Sequence, residues 1–316
     1  MIYEDLKSKF EKNGYVVINN FLSEKETKDL KDAGEKLTEN VPADVKTVFV
    51  ASNTKHVGDD YFIESADKIS FFYEKAALDD DGRLLVDASL ALNKVGHALH
   101  RLHPTFEACT YSDKVTNVCR SLGLSKPVVP QSMYIYKNPG VGGQVTIPSN
   151  PLLLKTKLRD GQHLIITLPG NCKPKTQKVI SHQDSTFLFT EPDSLVGFWI
   201  ALDDATVENG CLWMIPGSHK TDVHKRFIRN PDKCATSQLV FQGTQPEYEQ
   251  SLYVPLPVEK SSLVLIHGKV VHKSEQNKSQ YPRHAYTFHI FDEGISQYSE
   301  QNWLQTKVGF KPIYTT

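Results

Sequence analysis

A histidine and an aspartate two positions apart, His182 and Asp184, could together hold one metal ion. Side chains two apart along a β-strand point to the same side, so both groups of such a pair can reach one point. Two imidazoles and one carboxylate form the facial triad with which proteins bind non-haem Fe(II), and this triad leaves coordination positions open. By itself the pair is weak evidence, because a hydrogen-bonded turn at the end of a strand would show the same residues.

The third ligand of such a triad would come from elsewhere in the chain, and two downstream histidines compete for the role. His267 ends the apolar run 263–266, which is typical of a hydrogen-bonded core histidine. His272 opens the polar segment 273–277, which suits the mouth of a cleft better. His219 is a third option, but the Pro-Gly pair shortly before it favours a structural turn. The residues alone leave this choice open.

Arg283 and Ser274 lie near His272 in the sequence and could bind a carboxylate of a co-substrate. A guanidinium holds a carboxylate through two parallel hydrogen bonds, and the hydroxyl of Ser274 could donate another. An isolated arginine is most often a surface residue. Here, however, each role of a co-substrate site has a candidate on a predicted strand or at a strand end, so the set is stronger evidence than any of its members.

Three further histidines, His97, His100 and His103, recur at every third position in a stretch that is predicted to be helical over residues 90–102. Three imidazoles on one helix face could bind zinc. No cysteine accompanies them, however, and the last one lies at the end of the predicted helix. We therefore expect a solvated helix face here and no metal site.

The composition is that of a soluble globular protein: 316 residues, of which 39% are hydrophobic and 23% are charged. We expect residues 1–316 to form a single domain. The net charge of −1 and the scattered lysines argue against binding to nucleic acid. The five cysteines are odd in number and form no Cys-x-x-Cys pair, which favours a reducing compartment.

The ends of the sequence and its apolar runs predict a cellular location. The first residues are charged and lack the apolar run of a signal peptide, and the last three are not a peroxisomal Ser-Lys-Leu. No apolar run approaches the roughly 18 residues of a transmembrane helix. We expect a cytoplasmic protein, with the nucleus as a second location, that acts on a small molecule, does not insert into membranes and is a monomer.

Helical periodicity dominates the first part of the chain and strand patterns dominate the rest. The predicted helices cover residues 5–12, 24–37, 90–102 and 112–122. The predicted strands cover residues 15–18, 69–72, 133–136, 195–201, 212–215, 262–267 and 285–291. An Asn-Gly pair predicts a tight hairpin at residues 208–211. This order predicts a mainly β fold, a barrel or jelly roll braced by N-terminal α-helices.

One stretch, residues 144–179, fits this pattern badly. It contains four prolines and a charged run, and it lies between a predicted strand and the His-x-Asp pair. A loop of this length is unusual inside a compact domain. Within it, Leu164–Leu168 is the one apolar segment that could form a strand.

Several long segments resemble the phytanoyl-CoA dioxygenase family, and the resemblance extends over nearly the whole chain. These segments are residues 71–75, 93–100, 131–136, 181–188, 208–219, 265–277 and 300–304. They include the His-x-Asp pair, the Asn-Gly turn and the stretch that carries both His267 and His272. The resemblance implies a cupin-like double-stranded β-helix and an oxygenase that depends on Fe(II) and 2-oxoglutarate.

The resemblance also implies roles for individual residues. The iron ligands would be His182, Asp184 and His272, so the family pattern favours His272 over His267. Arg283, assisted by Ser274, would bind the far carboxylate of 2-oxoglutarate. The remaining implied contacts of the co-substrate pocket are Lys94, Met133, Gln183 and Trp199. The implied reaction converts 2-oxoglutarate and O2 to succinate and CO2 while a small-molecule or acyl substrate is hydroxylated, with ascorbate as an optional reductant for the iron.

The chain departs from the family pattern at about residues 146–178, where the relatives continue almost directly from residues 142–145 into the His-x-Asp strand. The extra residues are interpreted either as an inserted loop over the cleft or as an artefact of the gene model. Two other functions stay open on the residues alone. One is a jelly-roll binding protein with impaired catalysis, and the other is a metal-dependent hydrolase.

Overall fold

The computed structural model describes residues 5–42, 45, 47–48, 60–79, 81–139, 154–157, 163–166 and 179–314. The α-helices of these residues are α1 (Leu6–Asn13), α2 (Glu24–Leu37), α3 (Asp60–Ile63), α4 (Ala88–Ala91), α5 (Leu99–Leu102), α6 (Pro104–Thr110) and α7 (Asp113–Leu122). The first two and the last confirm predicted helices. The N terminus of α2 carries the capping box that Ser23 and Glu26 form through reciprocal side-chain-to-backbone hydrogen bonds.

The strands of the described residues are β1 (Tyr15–Ile18), β2 (Ile69–Tyr73), β3 (Leu92–His97), β4 (Pro127–Ile135), β5 (Leu154–Lys157), β6 (His163–Ile166), β7 (Val179–His182), β8 (Thr190–Glu191), β9 (Val196–Ala201), β10 (Leu212–Met214), β11 (Lys225–Arg229), β12 (Leu239–Gly243), β13 (Val254–Leu256), β14 (Leu263–His267), β15 (His272–Ser274), β16 (Ala285–Asp292), β17 (Gln297–Tyr298) and β18 (Lys311–Pro312). Most of the predicted strands are confirmed, some with shifted ends.

Two antiparallel sheets form the body of the molecule. The large sheet has the strand order β1-β14-β9-β16-β4-β3-β2, with β18 added to β4, and the small sheet has the order β13-β10-β15-β7. Trp199 and Val264 of the large sheet share one apolar cluster with Leu212 and Met214 of the small sheet. The two sheets therefore face each other, which is the double-stranded β-helix, or jelly roll, that was predicted.

One row of paired residues marks the inner face of the large sheet, which is the face toward the small sheet. Val264 pairs with Trp199, Trp199 with Thr287, Thr287 with Met133, and Met133 with Gly96. Because alternate residues of a strand share a face, the positions two residues away on each strand also point inward. The inner face therefore carries the positions from which a site between the sheets can be built.

Helices cover the opposite face of the large sheet, as predicted. Phe198 and Phe288 of the central strands lie in the same apolar cluster as Leu30 of α2 and Phe106 of α6. Strands covered on both faces are apolar throughout, which explains the continuous apolar run of β9. Gly34 lets α2 approach closely, because a methyl group there would overlap the ring of a sheet tyrosine.

The helix predicted over residues 90–102 is wrong in its first half, which is the strand β3. This strand is paired on both sides, with β2 and with β4. Its spacing of apolar residues fits a helix as well as a strand, and the pairing with two neighbours decides between them. Lys94 consequently lies on a strand and not on a helix.

The prediction of a solvated histidine face is also wrong. His97 is only 1% exposed, and its Nδ1 lies 2.8 Å from the hydroxyl of Ser65. His100 is 2% exposed, and its Nδ1 lies 2.8 Å from the hydroxyl of Ser132. Burial lowers the pKa of both imidazoles, that of His100 to about 3. These two histidines are core residues with hydroxyl partners.

The hairpin predicted at residues 208–211 is a turn, as expected, but the strands that flank it are not paired. The strand before it, β9, pairs with β14 and β16, whereas the strand after it, β10, pairs with β13 and β15. The turn therefore carries the chain from the large sheet to the small one. Gly210 has the positive φ of 85° that the turn requires.

Within residues 144–179 the structure describes two short strands and the start of β7. The strands β5 and β6 pair with each other as a separate two-stranded sheet, and β6 confirms an apolar strand near Leu164. The rest of the predicted insertion at 146–178 lies outside the described residues. Its interpretation as an insertion into a single domain stays a prediction.

Candidate metal centre

Strand pairing brings the two predicted histidine ligands together. His182 ends β7, His272 begins β15, and the two are direct partners across the antiparallel pair. Their ring centroids lie 4.3 Å apart. Side chains of directly opposed residues stand on the same face, so both imidazoles point into the space between the sheets. Pairing between residues distant in the chain thus supplies the proximity that spacing alone could not predict.

Asp184 completes the cluster from the short turn that follows β7. Its Oδ1 lies 3.6 Å from Nε2 of His182 and 3.6 Å from Nε2 of His272. One ligand atom from each of the three residues lies within 4.8 Å of the other two. The three groups form a compact set of two imidazoles and one carboxylate, which is the donor set of the non-haem iron triad.

The charges and hydrogen bonds of the cluster suit metal binding. Burial raises the pKa of Asp184, but His272 and the neighbouring histidines outweigh it and hold that pKa well below its usual value. Burial lowers the pKa of His272 to about 4, against the opposing effect of Asp184. At neutral pH the pair is therefore a carboxylate and a neutral imidazole. His272 Nδ1 lies 3.1 Å from the carbonyl of Val270, which leaves the Nε2 lone pair for a metal.

The competing histidine, His267, lies outside this cluster. Its Nδ1 accepts a hydrogen bond from the Lys269 backbone and is 3.7 Å from Asp193 Oδ2. Its ring packs against that of His219, with 4.9 Å between centroids. The rings of His267 and His219 pack against each other outside the cluster. This agrees with the prediction that His267 is a hydrogen-bonded core histidine and that His219 belongs to a structural turn.

Arg283 lies buried beside the cluster, with its charge incompletely satisfied. The residue is 2% exposed, its Nη2 donates to Ser274 Oγ at 3.4 Å, and its Cζ lies 5.2 Å from the Trp199 ring centroid. Its Nε and Nη1 have no hydrogen-bond partner among the described residues. Burial lowers its pKa to about 10, so it remains a cation at neutral pH. A buried cation with unpaired donors is costly and suits an anionic ligand.

The predicted pocket residues Met133 and Trp199 lie in the inner row of the large sheet, and the Trp199 ring lies near Arg283. Lys94 is two residues before Gly96 on β3 and therefore lies on the same face. Burial lowers the pKa of Lys94 to about 7, with Glu74 opposing the effect. The structure therefore brings these three predicted residues to the same side of the sheet as the arginine.

Gln183 is differently placed. Its amide nitrogen donates to the carbonyls of Asp222 and Lys269 at 3.2 and 2.8 Å, and its amide oxygen accepts from the backbone of His224 at 2.9 Å. The side chain thus ties two loops to the residue that directly follows β7. A contact between Gln183 and a co-substrate stays a prediction that none of these hydrogen bonds supports.

The sequence predictions missed two buried residues at the site. The first is His289 of β16, whose Nε2 lies 3.3 Å from Asp184 Oδ2. The second is the buried Lys137, whose pKa is lowered to about 7 by burial and by the charge of Arg283. A signal existed for His289, which is an ionisable residue inside the apolar strand 285–291. For Lys137 the sequence offered no comparable sign.

Comparison with known proteins gives close matches along the whole chain. A family model described as "Phytanoyl-CoA dioxygenase (PhyH)" matches residues 10–150 and 149–285. A Caenorhabditis elegans protein named as a homolog of phytanoyl-CoA dioxygenase domain-containing protein 1 is 42% identical over 313 residues, covering 97% of both chains. The Danio rerio protein of that name is 40% identical over 97% of both chains. An Arabidopsis thaliana phytanoyl-CoA dioxygenase is 39% identical over 96% of this chain and 94% of the relative.

Solved structures share the fold at low sequence identity. The epimerase SnoN, solved with Fe3+, alpha ketoglutarate and nogalamycin RO, superimposes with a TM-score of 0.58 at 12% identity, covering 98% of both chains. EctD from S. alaskensis, solved with 2-oxoglutarate and 5-hydroxyectoine, gives 0.53 at 15% identity, covering 93% of this chain and 77% of EctD. No helix in the described part of the chain is long and apolar enough to cross a membrane. On the family match and the near-complete relatives, the chain belongs to the phytanoyl-CoA dioxygenase family.

Proposed function

We propose that the protein is an Fe(II)- and 2-oxoglutarate-dependent dioxygenase that hydroxylates a small-molecule or acyl substrate. The observation that carries this proposal is the meeting of His182, Asp184 and His272 beside a buried arginine with unpaired donors. Membership of a family of dioxygenases supports it. So do the structural neighbours solved with Fe3+ and alpha ketoglutarate or with 2-oxoglutarate.

The donor set fits Fe(II). Two imidazoles and one carboxylate match the triad of this ion, whereas structural zinc sites usually have four protein ligands, often cysteines. Bound iron would supply the oxidative chemistry in which 2-oxoglutarate and O2 become succinate and CO2 and the substrate gains a hydroxyl group. The protein's contribution is to hold the ligands, orient the co-substrate and exclude water.

Arg283 would bind the far carboxylate of 2-oxoglutarate through its unpaired Nε and Nη1. Its guanidinium already donates to the hydroxyl of Ser274 and lies near the ring of Trp199. Lys94 and Met133 would line the same pocket from β3 and β4. The match is chemical: an anionic group at this position would satisfy two donors that have no partner among the described residues.

Aromatic side chains close one side of the cluster. The Phe187 ring meets the His182 ring edge-on at 5.8 Å, and it packs in turn against Phe227 and Phe241 of the β11–β12 hairpin. Such a wall keeps water from the histidine ligands and offers apolar contact to a substrate. This supports a substrate with an apolar part, without specifying it further.

Turnover without an added substrate tests the proposal. The protein, loaded anaerobically with Fe(II), is supplied with 2-oxoglutarate and then O2, with and without ascorbate, while succinate and O2 uptake are measured. We expect both products of co-substrate turnover, and a metabolite library should then reveal compounds that stimulate it. Activity that needs zinc and no O2 would favour the hydrolase, and Fe(II) binding without any turnover would favour the impaired binding protein.

Location in the cytoplasm, a monomeric state and the absence of nucleic-acid binding remain predictions from composition. We propose residues 146–178 as an insertion within a single catalytic domain. The two family-model matches meet at residues 149–150, inside this stretch. Among the described residues β5 pairs with β6 and with no other strand, which supports a self-contained excursion.

A further inference from the structure

The carboxylate of Asp184 has its two oxygens in different surroundings. Oδ1 lies 3.6 Å from Nε2 of His182 and of His272, on the side where a metal would bind. Oδ2 points the other way and lies 3.3 Å from Nε2 of His289. The cluster of ligand atoms within 4.8 Å of one another contains His182, Asp184 and His272 but not His289. His289 therefore touches the carboxylate from outside the triad.

His289 is built into the large sheet and aimed at this oxygen. It lies on β16, is 5% exposed, and its Nδ1 has no hydrogen-bond partner among the described residues. A carboxylate oxygen only accepts hydrogen bonds, so His289 must carry its proton on Nε2 to bond there. Pairing between β16 and β4 is irregular directly after His289, and such irregularities re-aim side chains.

The neighbouring strand leaves room for this contact at Gly197, the partner of His289 on β9. A methyl group at Gly197 would lie 3.1 Å from Asp184 Oδ2 and 3.6 Å from Cδ2 of His289. The first distance is shorter than ordinary van der Waals contact. A residue without a side chain here thus allows the carboxylate and the imidazole to meet.

We propose that His289 is a positioning residue for the metal centre: it donates Nε2–H to Asp184 Oδ2 and so directs Oδ1 toward His182 and His272. A carboxylate held in this way offers one oxygen to a metal and cannot turn to offer both. That restriction keeps coordination positions open for 2-oxoglutarate and O2. The inference rests on the proposed function, because it assumes that the triad binds Fe(II).

A pair of similar-sized substitutions tests the hydrogen bond. His289→Gln keeps an N–H donor at a similar reach, whereas His289→Met removes the donor and keeps the length of the side chain. Affinity for Fe(II) is measured anaerobically by competition with a chromogenic chelator. We expect H289M to bind Fe(II) about 10- to 100-fold more weakly, as for other partners of metal ligands, and H289Q to stay close to wild type.

His100→Met is the matched control. His100 is also a buried histidine, its side chain has a hydroxyl group as hydrogen-bond partner, and it lies away from the triad. We expect wild-type Fe(II) affinity in this variant. Wild-type affinity in H289M would overturn the proposal, and so would an equal loss in H289Q and H289M, which would make His289 itself a ligand. If the wild-type protein binds no Fe(II), the proposed function fails first, so the two failures are distinguishable.

Gly197→Ala provides a second route if H289M does not fold, as judged by circular dichroism of the metal-free protein. This variant leaves His289 in place and pushes the carboxylate away from it. Weaker Fe(II) binding in folded G197A supports the positioning role. Unchanged Fe(II) affinity in folded G197A contradicts it.

Discussion

At the scale of residues, the site combines groups that are neutral with groups that stay charged although they are buried. His272 is kept neutral by burial, while Asp184 is kept ionised by the imidazoles around it. Arg283 stays charged, and two of its donors have no partner in the described part of the chain. Such an arrangement is costly to bury without ligands, and it becomes favourable when a cation and an anion are bound.

Removal of the carboxylate ligand should abolish turnover. In Asp184→Ala the remaining two imidazoles bind Fe(II) weakly, so we expect succinate formation to fall to the background level. Asp232→Ala, at an exposed position, is the control and should behave as wild type. Normal succinate formation by folded D184A would contradict the assignment of the iron ligands.

Arg283→Met should separate co-substrate binding from metal binding. Hydrogen bonds to charged groups contribute about 1.5–3 kcal/mol, so the KM for 2-oxoglutarate should rise about 10- to 100-fold. Fe(II) affinity should change little, since the arginine does not contact the triad. The exposed Arg83→Met serves as the control. An unchanged KM in R283M would argue against the role in binding the co-substrate.

The residue scale also shows what the sequence could predict. The types of His182, Asp184 and His272 indicated the chemistry, but the choice of His272 over His267 needed the family pattern. His289 was missed because a histidine inside an apolar strand is ordinarily a core residue. Its role depends on a contact between β16 and the turn after β7, which spacing along the chain does not reveal.

At the scale of elements, the ligands depend on how strands are paired. Predictions of single elements succeeded where the periodicity was clear, as for α2 and β16. They failed for β3, whose short apolar pattern fits both helix and strand, and for the Asn-Gly turn, whose flanking strands belong to different sheets. In both cases long-range pairing overrides local preference.

The ends of β16 and β4 are joined by Asp292, which supports the strand that carries His289. Its carboxylate accepts from the backbone of Ser125 and Lys126 at 2.7 Å each and from that of Gly294 at 3.0 Å. Burial raises the pKa of Asp292, but these hydrogen bonds outweigh it and lower the pKa overall. The stabilisation from the ionised Asp292 carboxylate is therefore complete above the pKa that this group has in the unfolded chain. It is lost as the pH falls through the lower pKa of the folded state.

We expect Asp292→Asn to lower the free energy of unfolding at pH 7 by about 1.5–3 kcal/mol, the contribution of hydrogen bonds to a charged group. The difference from wild type should shrink below about pH 4, where the unfolded carboxyl protonates. Urea unfolding at several pH values measures both. The adjacent Glu293→Gln removes only an exposed ion pair with Lys126 and should cost less than about 1 kcal/mol. Equal effects of both changes at pH 7 would contradict this role.

At the scale of the whole molecule, the described residues form a jelly roll, with a large sheet backed by helices and a small sheet that holds two of the predicted ligands. Strands β7 and β15 of the small sheet and strands of the large sheet carry the site residues, whereas β5 and β6, among the described residues, pair with each other alone. The sites for the metal and the co-substrate thus depend on the sheets that the family shares.

Removal of the extra residues should therefore leave the metal site intact. We expect a variant in which residues 146–178 are replaced by a short Gly-Ser linker to fold and to bind Fe(II) with wild-type affinity, because β7 keeps its partner β15. Iron binding by chelator competition and succinate formation are measured together. The same deletion combined with D184A is the control and should bind Fe(II) as weakly as D184A alone. Complete loss of Fe(II) binding by the folded deletion variant would contradict this expectation.

The direct pairing of His182 with His272 has a mechanical consequence. An ion held by both imidazoles would join two distant points of the chain, and the intervening segment, which contains β8 to β14, would become a closed loop. Because the two histidines meet in the folded chain, the ion binds the folded state and stabilises it by an amount that grows with metal affinity. Iron would then serve as a reversible cross-link as well as a reagent, and its loss would first loosen the edge where β7 meets β15.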